Sequence, residues 1–145
     1  MSWAGKKSFK ERFKSLFLSG EQALSSPFVL TRARKEKVEK LLKAWVDGKG
    51  YRLPHPTVEE AAQRIGVPYL YLYHYFKAEG ADFRSWRTRL RIEDAMAQIR
   101  ENPGTPLSVI GQRVGIPDRS NFARQFKAHT GQTPNVWRQA LQKKS

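Results

Sequence analysis

The stretch QRVGIPDRSNFARQFK, at residues 112–127, has a second copy earlier in the chain, QRIGVPYLYLYHYFK at residues 63–77. The copies share a Gln-Arg pair, a glycine turn closed by proline, and a final Phe-Lys. They differ mainly between that proline and the Phe-Lys pair. A short helical segment, a glycine stop and a longer helical segment are typical of a helix-turn-helix. The sequence therefore predicts this unit twice.

Matches on either side of the two stretches extend the duplication. Ala62 aligns with Gly111, Gly80 with Gly131, and Trp86-Arg87 with Trp137-Arg138. The offset between the copies grows from 49 to 51 residues, which indicates small insertions between fixed anchors. Two helical hairpins packed for stability alone are the alternative explanation, but they would not need a basic surface.

The charge of the chain favours a polyanionic partner. Its 145 residues hold 27 Lys and Arg against 13 Asp and Glu, a net charge of +14. The excess is spread evenly, with 12 basic and 5 acidic residues in 1–49 and 15 and 8 in 50–145. Nucleic acid is the first class of partner expected from such a surplus, and an anionic membrane surface is the second.

Composition argues against catalysis and against a cofactor. The chain has no cysteine, which excludes disulfides, thiolate metal sites and cysteine nucleophiles. The three histidines, His55, His74 and His129, fall in separate segments without metal-ligand spacing. No phosphate-cradling glycine loop or nucleophile motif is present, so we expect no enzyme activity, catalytic residue, metal or cofactor. No apolar run reaches the ~18 residues that a membrane-spanning helix needs.

The first third of the chain divides into two segments. Residues 1–31 carry Phe9, Phe13, Leu16 and Phe17 between basic residues, a pattern of a short amphipathic helix followed by a linker. Packing on the rest of the protein and contact with a membrane surface or a partner both remain open for this segment. Residues 32–56 predict an accessory helix that ends at the glycines near residue 48, and then a rigid connector.

The remaining chain predicts two helix-turn-helix units around one long helix. The first unit covers residues 57–82, with Thr57 as the cap of its first helix. The linker helix covers residues 83–101, and the second unit with its C-terminal helix covers 105–142. Thr105 and Pro106 are expected to cap the first helix of that unit and to occupy its first turn.

The linker helix has two apolar faces that point in nearly opposite directions. One consists of Phe83, Trp86 and Leu90, and the other of Ile92, Ala95, Met96 and Ile99. Because the two faces are also offset along the helix, each end is expected to pack a different subdomain. The fold class is therefore all-α: two helix-turn-helix subdomains joined by a linker helix and preceded by one or two N-terminal helices.

The second long helix predicts a polar face for DNA. With Asp118 as its N-cap, Phe122 and Phe126 lie on the core side. The candidate DNA-binding residues occupy the other side or its border: Arg119, Ser120, Asn121, Ala123, Arg124 and Lys127. Arg can bridge O6 and N7 of guanine, and Ser accepts most base edges. A merely solvated charged face is the alternative.

The first long helix presents different chemistry at the matching positions. Its candidate DNA-binding residues are Tyr69, Leu70, Tyr73, His74 and Lys77. Leu70 and Tyr73 suit contacts with thymine methyl groups, and His74 suits a hydrogen bond to a base. An aromatic face of this kind equally suits a protein contact, so both interpretations stay open.

The whole arrangement resembles the AraC/XylS family of bacterial transcription regulators. After the first unit the carrying segment is FRSWRTRLRIEDAMAQI, and the second unit is similar to the family pattern IA…VGF.D.S.F.R.FK…G.TP…R. The matching residues are Ile110, Val114-Gly115, Asp118, Ser120, Phe122, Arg124, Phe126-Lys127, Gly131, Thr133-Pro134 and Arg138. So many fixed spacings over ~50 residues are far more specific than one short motif.

The resemblance implies a sequence-specific transcription regulator that places two recognition helices in successive major-groove segments. Its partner would be a double-stranded DNA operator, bound by a monomer or by part of a dimer, with a cytoplasmic, nucleoid-associated location. Residues 1–56 are too few for a sensory β-barrel, so we expect either a stand-alone DNA-binding module or the output fragment of a larger regulator. In the second case, a sensor domain or membrane segment would lie outside this chain and could tether it to a membrane. The alternative function is an interaction module that docks a membrane surface or RNA polymerase through residues 1–31 and the aromatic first recognition helix.

Overall fold

The computed structural model describes residues 28–54 and 57–143, and every regular element in these ranges is helical. A short 3₁₀ turn, Gly50–Arg52, follows the first helix. The α-helices are α1 (Arg32–Asp47), α2 (Val58–Ile65), α3 (Tyr69–Ala78), α4 (Phe83–Glu101), α5 (Leu107–Arg113), α6 (Arg119–Thr130) and α7 (Pro134–Lys143). The predicted all-α class is confirmed. The predicted amphipathic helix with Phe9, Phe13, Leu16 and Phe17 lies outside the described residues.

The first helix-turn-helix consists of α2 and α3. The Thr57 hydroxyl accepts a hydrogen bond from the amide of Glu60 at 3.1 Å, which confirms the predicted cap of α2. Gly66 ends α2 with a φ of 92°, a left-handed conformation that favours glycine. The turn then directs Leu72 and Phe76 of α3 into the core.

Helix α1 belongs to the same core as this first unit. Val38, Leu42 and Trp45 are its buried residues. The ring centroid of Trp45 lies 5.6 Å from that of Phe83 and 6.0 Å from that of Trp86, both on α4. The accessory helix therefore closes one side of the first subdomain by burying aromatic surface against the linker helix.

Helix α4 packs one subdomain at each end, as its two apolar faces predict. Phe83 is buried in the first core, and Trp86 and Leu90 pack against it. Ile92, Ala95 and Ile99 are fully buried in the second core. The Asp82 carboxylate accepts the amide of Ser85 at 3.0 Å and fixes where the helix begins.

The second helix-turn-helix consists of α5 and α6, closed by α7. Its core is formed by Ile110, Val114, Ile116, Phe122 and Phe126 together with the residues from α4. The ring of Trp137 on α7 meets that of Phe126 edge-on, with centroids 5.6 Å apart. Each repeat therefore closes on a Trp-Phe contact, since Phe76 and Trp86 lie 5.2 Å apart in the first.

The predicted cap of α5 is wrong. The helix begins at Leu107, one residue later than expected, so the N-cap position falls on Pro106 and carries no side-chain hydrogen bond. Proline has no side-chain acceptor, and Thr105 stands one position too early to act as the cap. Thr105 is instead buried, and its carbonyl oxygen accepts a hydrogen bond from Arg138 at 3.1 Å.

A carboxylate on α4 ties the connector between α1 and α2 to the linker helix. Arg52 donates two hydrogen bonds to Asp94, of 2.6 and 2.8 Å, and the Tyr51 hydroxyl donates a third of 2.9 Å. Gln98 donates a fourth of 3.1 Å. Burial and then the hydrogen bond to Asp94 raise the pKa of Tyr51 to about 12. We call Tyr51, Arg52, Asp94 and Gln98 the Asp94 cluster.

A buried arginine holds the backbone of the same connector. Arg91 donates from Nε to the carbonyl of Tyr51 at 2.6 Å and from its terminal nitrogen to that of Leu53 at 3.0 Å. Burial, and then the charge of Arg87, lowers the pKa of Arg91 to about 10, so it keeps its proton at neutral pH. These contacts leave the carbonyl of Arg52 directly against Gly115, the turn glycine of the second unit.

We expect the two turn glycines to respond differently to alanine. Gly66 and Gly115 have nearly equal φ angles of 92° and 91°, so alanine is strained to a similar degree at both. An added Cβ at Gly66 meets open space, whereas at Gly115 it overlaps the Arg52 carbonyl. Gly66→Ala should cost about 1–2 kcal/mol of unfolding free energy, and Gly115→Ala clearly more. Urea unfolding of both variants measures the difference, and equal losses would contradict the contact with Arg52.

The Asp94 cluster should make the protein sensitive to acid. Burial acts to raise the pKa of Asp94, but the hydrogen bonds from Arg52, Gln98 and Tyr51 outweigh it and hold the pKa below its usual value. As the pH falls, the unfolded chain therefore takes up the proton first. The stability from Asp94 is complete above about pH 5 and is lost as the pH falls through the native pKa.

The test is the unfolding free energy of Asp94→Asn relative to the wild type, measured from about pH 7, where aspartate is ionised in both states, down to about pH 3, below the usual pKa of aspartate. The Asp94 side chain is 8% exposed but that of Arg52 is 28% exposed, so we expect a loss of about 2 kcal/mol at neutral pH, between the values for surface and buried pairs. The loss should shrink on acidification. Asp47→Asn, which breaks the exposed Lys43–Asp47 pair, should cost less than about 0.5 kcal/mol and keep the acid sensitivity.

Candidate nucleic-acid interface

Helix α6 is oriented by its first turn and its two phenylalanines. The Asp118 carboxylate accepts the amide of Asn121 at 2.7 Å, which confirms the predicted N-cap. Phe122 and Phe126 are buried, and their ring centroids lie 5.9 Å apart. With one side of α6 fixed in the core, the opposite side has to face outward.

The outward side of α6 brings together the polar residues predicted from the sequence. Arg119, Ser120, Arg124 and Lys127 are exposed. Asn121 and Ala123 are half-buried at the edges of this face. Three cationic side chains and a hydroxyl thus share one side of a helix without an acidic residue within its span. We call these six residues the α6 face.

Asn121 has a role that the sequence did not indicate. Its side-chain oxygen accepts a hydrogen bond from the guanidinium of Arg124 at 2.8 Å, and a weaker one from Gln125 at 3.5 Å. The backbone amide of the same residue is held by Asp118. Arg124 is therefore restrained by a residue at the capped start of its own helix. The signal in the sequence is the i, i+3 spacing of Asn and Arg, which also occurs on many helices without such a bond.

Helix α3 presents an aromatic face in place of a cationic one. The rings of Tyr69 and Tyr73 are stacked with centroids 6.4 Å apart, and His74 meets Tyr73 edge-on at 5.2 Å. The ammonium of Lys77 lies 5.7 Å from the Tyr73 ring centroid. Lys77 is exposed, whereas Leu70 and the three aromatic residues are half-buried. We call Tyr69, Leu70, Tyr73, His74 and Lys77 the α3 face.

Tyr69 differs from its neighbours because it also packs against the first core. One part of its ring therefore supports the fold. Tyr71 and Tyr75 pack against the same core from other sides of α3, and the Arg34 guanidinium lies 5.3 Å from the Tyr71 ring centroid. Tyr73 is thus the α3 tyrosine that is not assigned to core packing.

The environment of His74 favours its neutral form. Burial, and then the charge of Lys77, lowers the pKa of His74 below its usual value. Near neutral pH the imidazole is therefore mostly uncharged, with one nitrogen that donates and one that accepts a hydrogen bond. This state suits contact with a base edge better than attraction to a phosphate.

Arg138, which is part of the family-like pattern, makes structural hydrogen bonds. It donates to the carbonyls of Pro103 and Thr105, at 3.3 and 3.1 Å, and to the side chain of Asn135 at 3.1 Å. These bonds connect α7 with the loop between α4 and α5. The position therefore acts on the interface indirectly, by setting where α7 lies beside α6.

Metal sites and membrane spans are both missing from the part of the chain that the structure describes. Residues 28–54 and 57–143 contain no group of three or more His, Asp or Glu arranged to hold a metal ion. None of the helices described there combines the length and apolar character needed to cross a bilayer.

Comparison of the sequence with known proteins finds relatives among bacterial regulators. A family model described as a helix-turn-helix domain matches residues 61–140. The arabinose operon regulatory protein of Escherichia coli K12 is 30% identical over 88 residues, which are 60% of this chain and 30% of that protein. YesN of Bacillus subtilis is a transcriptional regulatory protein described as uncharacterised. It is 37% identical over 70 residues, which are 47% of this chain and 19% of that protein.

A third relative matches over a similar number of residues as the arabinose operon protein. The Msm operon regulatory protein of Streptococcus mutans is 27% identical over 93 residues, 59% of this chain and 31% of that protein. The match thus spans less than a third of the length of each of these relatives. The family match at residues 61–140 includes nearly all of both helix-turn-helix units and the helix between them.

Proposed function

Because this chain belongs to the AraC/XylS family of transcription regulators, we propose that it inserts α6 and α3 into successive major-groove segments of a double-stranded DNA operator. The family consists of DNA-binding regulators of transcription rather than enzymes. The observation that carries the proposal is the α6 face, a cluster of cationic and polar side chains backed by two buried phenylalanines. A rigid helix with such a face fits the width of a major groove.

Within the α6 face, Arg124 is the residue proposed to read a base. Its guanidinium is already restrained by Asn121, so less side-chain entropy is lost when it binds. Arginine bridges O6 and N7 of guanine with two parallel hydrogen bonds. Arg119 and Ser120 would contact neighbouring base edges, and Lys127 a phosphate. Small Ala123 would let the helix approach the groove closely.

The α3 face is proposed to read the second groove segment by different chemistry. Leu70 and Tyr73 offer apolar surface for thymine methyl groups. His74, uncharged near neutral pH, offers one hydrogen-bond donor or acceptor, and Lys77 offers a phosphate contact. The specificity of this half would rest on shape and apolar contact more than on charge.

The position of the two faces relative to each other would be set by α4. Both cores are built on this helix, and the Asp94 cluster and Arg91 bind the connector to it. A fixed geometry suits groove segments one helical turn apart, ~34 Å along the DNA.

The wider biology of the chain is also a proposal. We propose that the chain acts on DNA in the cytoplasm, as a monomer or within a dimer. A sensor domain or membrane segment would lie outside this chain. One observation favours a second function for α3: the stacked pair Tyr69 and Tyr73 is an aromatic surface of the kind that protein interfaces use. On that alternative, α3 docks RNA polymerase and only α6 reads bases.

Arg124→Ala should weaken binding to the preferred operator by about 1–3 kcal/mol and relax the preference at one base position. Lys127→Ala should weaken binding to all sequences alike and make it less sensitive to salt. Arg89→Ala is the matched control, because Arg89 pairs with Glu93 on α4 and is not assigned to either face. Fluorescence anisotropy on specific and random DNA measures these effects. Equal losses on both DNAs for Arg124→Ala would contradict its role.

Selection of bound sequences from random DNA should give a two-part motif with half-sites about one helical turn apart. Tyr73→Ala should abolish the preference in one half-site and leave the other unchanged. Tyr71→Ala is the control for general damage to α3, because Tyr71 packs against the core. A single half-site that is unaffected by Tyr73→Ala would show that α3 does not read bases and would favour its role as a protein contact.

A further inference from the structure

A cavity of about 300 Å³ lies in the second helix-turn-helix, between the beginnings of α5, α6 and α7. Its apolar walls include Leu107, Ile116 and Phe122. Its polar lining includes Ser108 and Arg119. The volume is at the lower end of the range for small-molecule sites, which combine apolar walls with a few placed polar groups.

The charge of the lining selects the kind of ligand. Among the described residues that line the cavity, none is acidic and Arg119 is the one basic residue. An apolar space with a guanidinium at its edge is complementary to a molecule that has a compact apolar body and a single carboxylate. A cation would meet an arginine without any compensating carboxylate in the lining.

The first repeat carries different residues at positions that line this cavity in the second. By the alignment of the copies, Ser108 corresponds to Glu59, Gly111 to Ala62, Arg119 to Tyr69 and Ala123 to Tyr73. Each replacement in the first repeat is larger, and one is acidic. The stacked rings of Tyr69 and Tyr73 stand where the second repeat has an arginine and a methyl group. The duplicated fold therefore does not itself require an open site that binds an anion.

We propose that this cavity binds a small carboxylate with a compact apolar body and that the bound molecule competes with DNA. The competition rests on the proposed function, because Arg119 and Ala123 line the cavity and also belong to the α6 face. A ligand whose carboxylate engages Arg119 takes that side chain away from DNA. By linkage, DNA must then weaken the ligand by the same factor.

The binding test uses 2-naphthoate and its uncharged counterpart 2-naphthylmethanol, titrated into the full ¹⁵N-labelled chain. Saturable amide shifts centred on the cavity lining, with naphthoate binding several-fold more tightly than the alcohol, are the expected result. Shifts elsewhere, no saturation, or equal binding of the two compounds would overturn the proposal. This arm contains no DNA, so it does not depend on the proposed function.

Variants of Ser108 locate the site. Ser108→Glu introduces the residue of the first repeat, and it should weaken naphthoate about tenfold more than it weakens the alcohol, because a nearby like charge contributes about that factor. Ser108→Leu should weaken both compounds by filling the cavity. Gln112→Glu and Gln112→Leu are the matched controls on the same helix, outside the lining, and should alter neither. Circular dichroism checks that all four variants fold. Unchanged naphthoate binding in both Ser108 variants would refute this location of the site.

The competition is measured separately, as the affinity for the selected operator with and without saturating 2-naphthoate. A several-fold loss is expected with wild type, and a clearly smaller loss with Ser108→Glu. Naphthoate binding without any loss of DNA affinity would overturn the competition. If the wild-type chain binds no DNA at all, the proposed function fails, and with it the competition, while the titration still decides whether the cavity takes a carboxylate.

Discussion

The pair formed by Arg52 and Asp94 is the interaction on which the geometry of the molecule depends. It joins residues 42 positions apart, and it fixes the connector on α4 at the point where the helix passes from one core to the other. Breaking the pair would cost more than the attraction between its two charges, because the Asp94 side chain is 8% exposed and its carboxylate would lose the donors that replace water. With Arg52 held in place, its carbonyl lies against Gly115, so the first subdomain supports the turn that precedes α6.

The two subdomains are therefore not independent units joined by a flexible linker. Short helices such as α2 and α5 cannot bury enough surface to be stable by themselves, and each uses α4 as part of its core. Because α4 belongs to both cores, it fixes the orientation of one subdomain relative to the other. A flexible linker of the same length would not. If two groove segments are read as proposed, this rigidity lowers the entropic cost of binding, because the two helices need not be oriented when DNA binds.

Much of this could be predicted from the sequence, and the limits have physical reasons. The cap by Asp118, the glycine turns and the opposed faces of α4 follow from local rules, and they appear where the spacing places them. The Asp94 cluster was not predicted, because hydrogen bonds between residues 42 or 43 positions apart leave no periodic signal. The cap by Thr105 failed by one residue, which is the usual uncertainty of a helix end. The restraint of Arg124 by Asn121 depends on side-chain rotamers, and these are set by packing.

The difference between the copies shows how a duplicated fold acquires two kinds of surface. The residues that the copies share set the turn and the core, and both must be kept if α4 is to serve two cores at once. The remaining positions are free to diverge, and they have diverged in size as well as in charge: Tyr69 and Tyr73 stack in one copy where Arg119 and Ala123 stand in the other. The small residues proposed to let the second copy approach DNA closely also line the cavity beside α6. Larger side chains at Gly111 and Ala123 would narrow that cavity, but they would also add bulk beside the surface proposed to read bases, so the open space and the proposed reading surface depend on the same small residues.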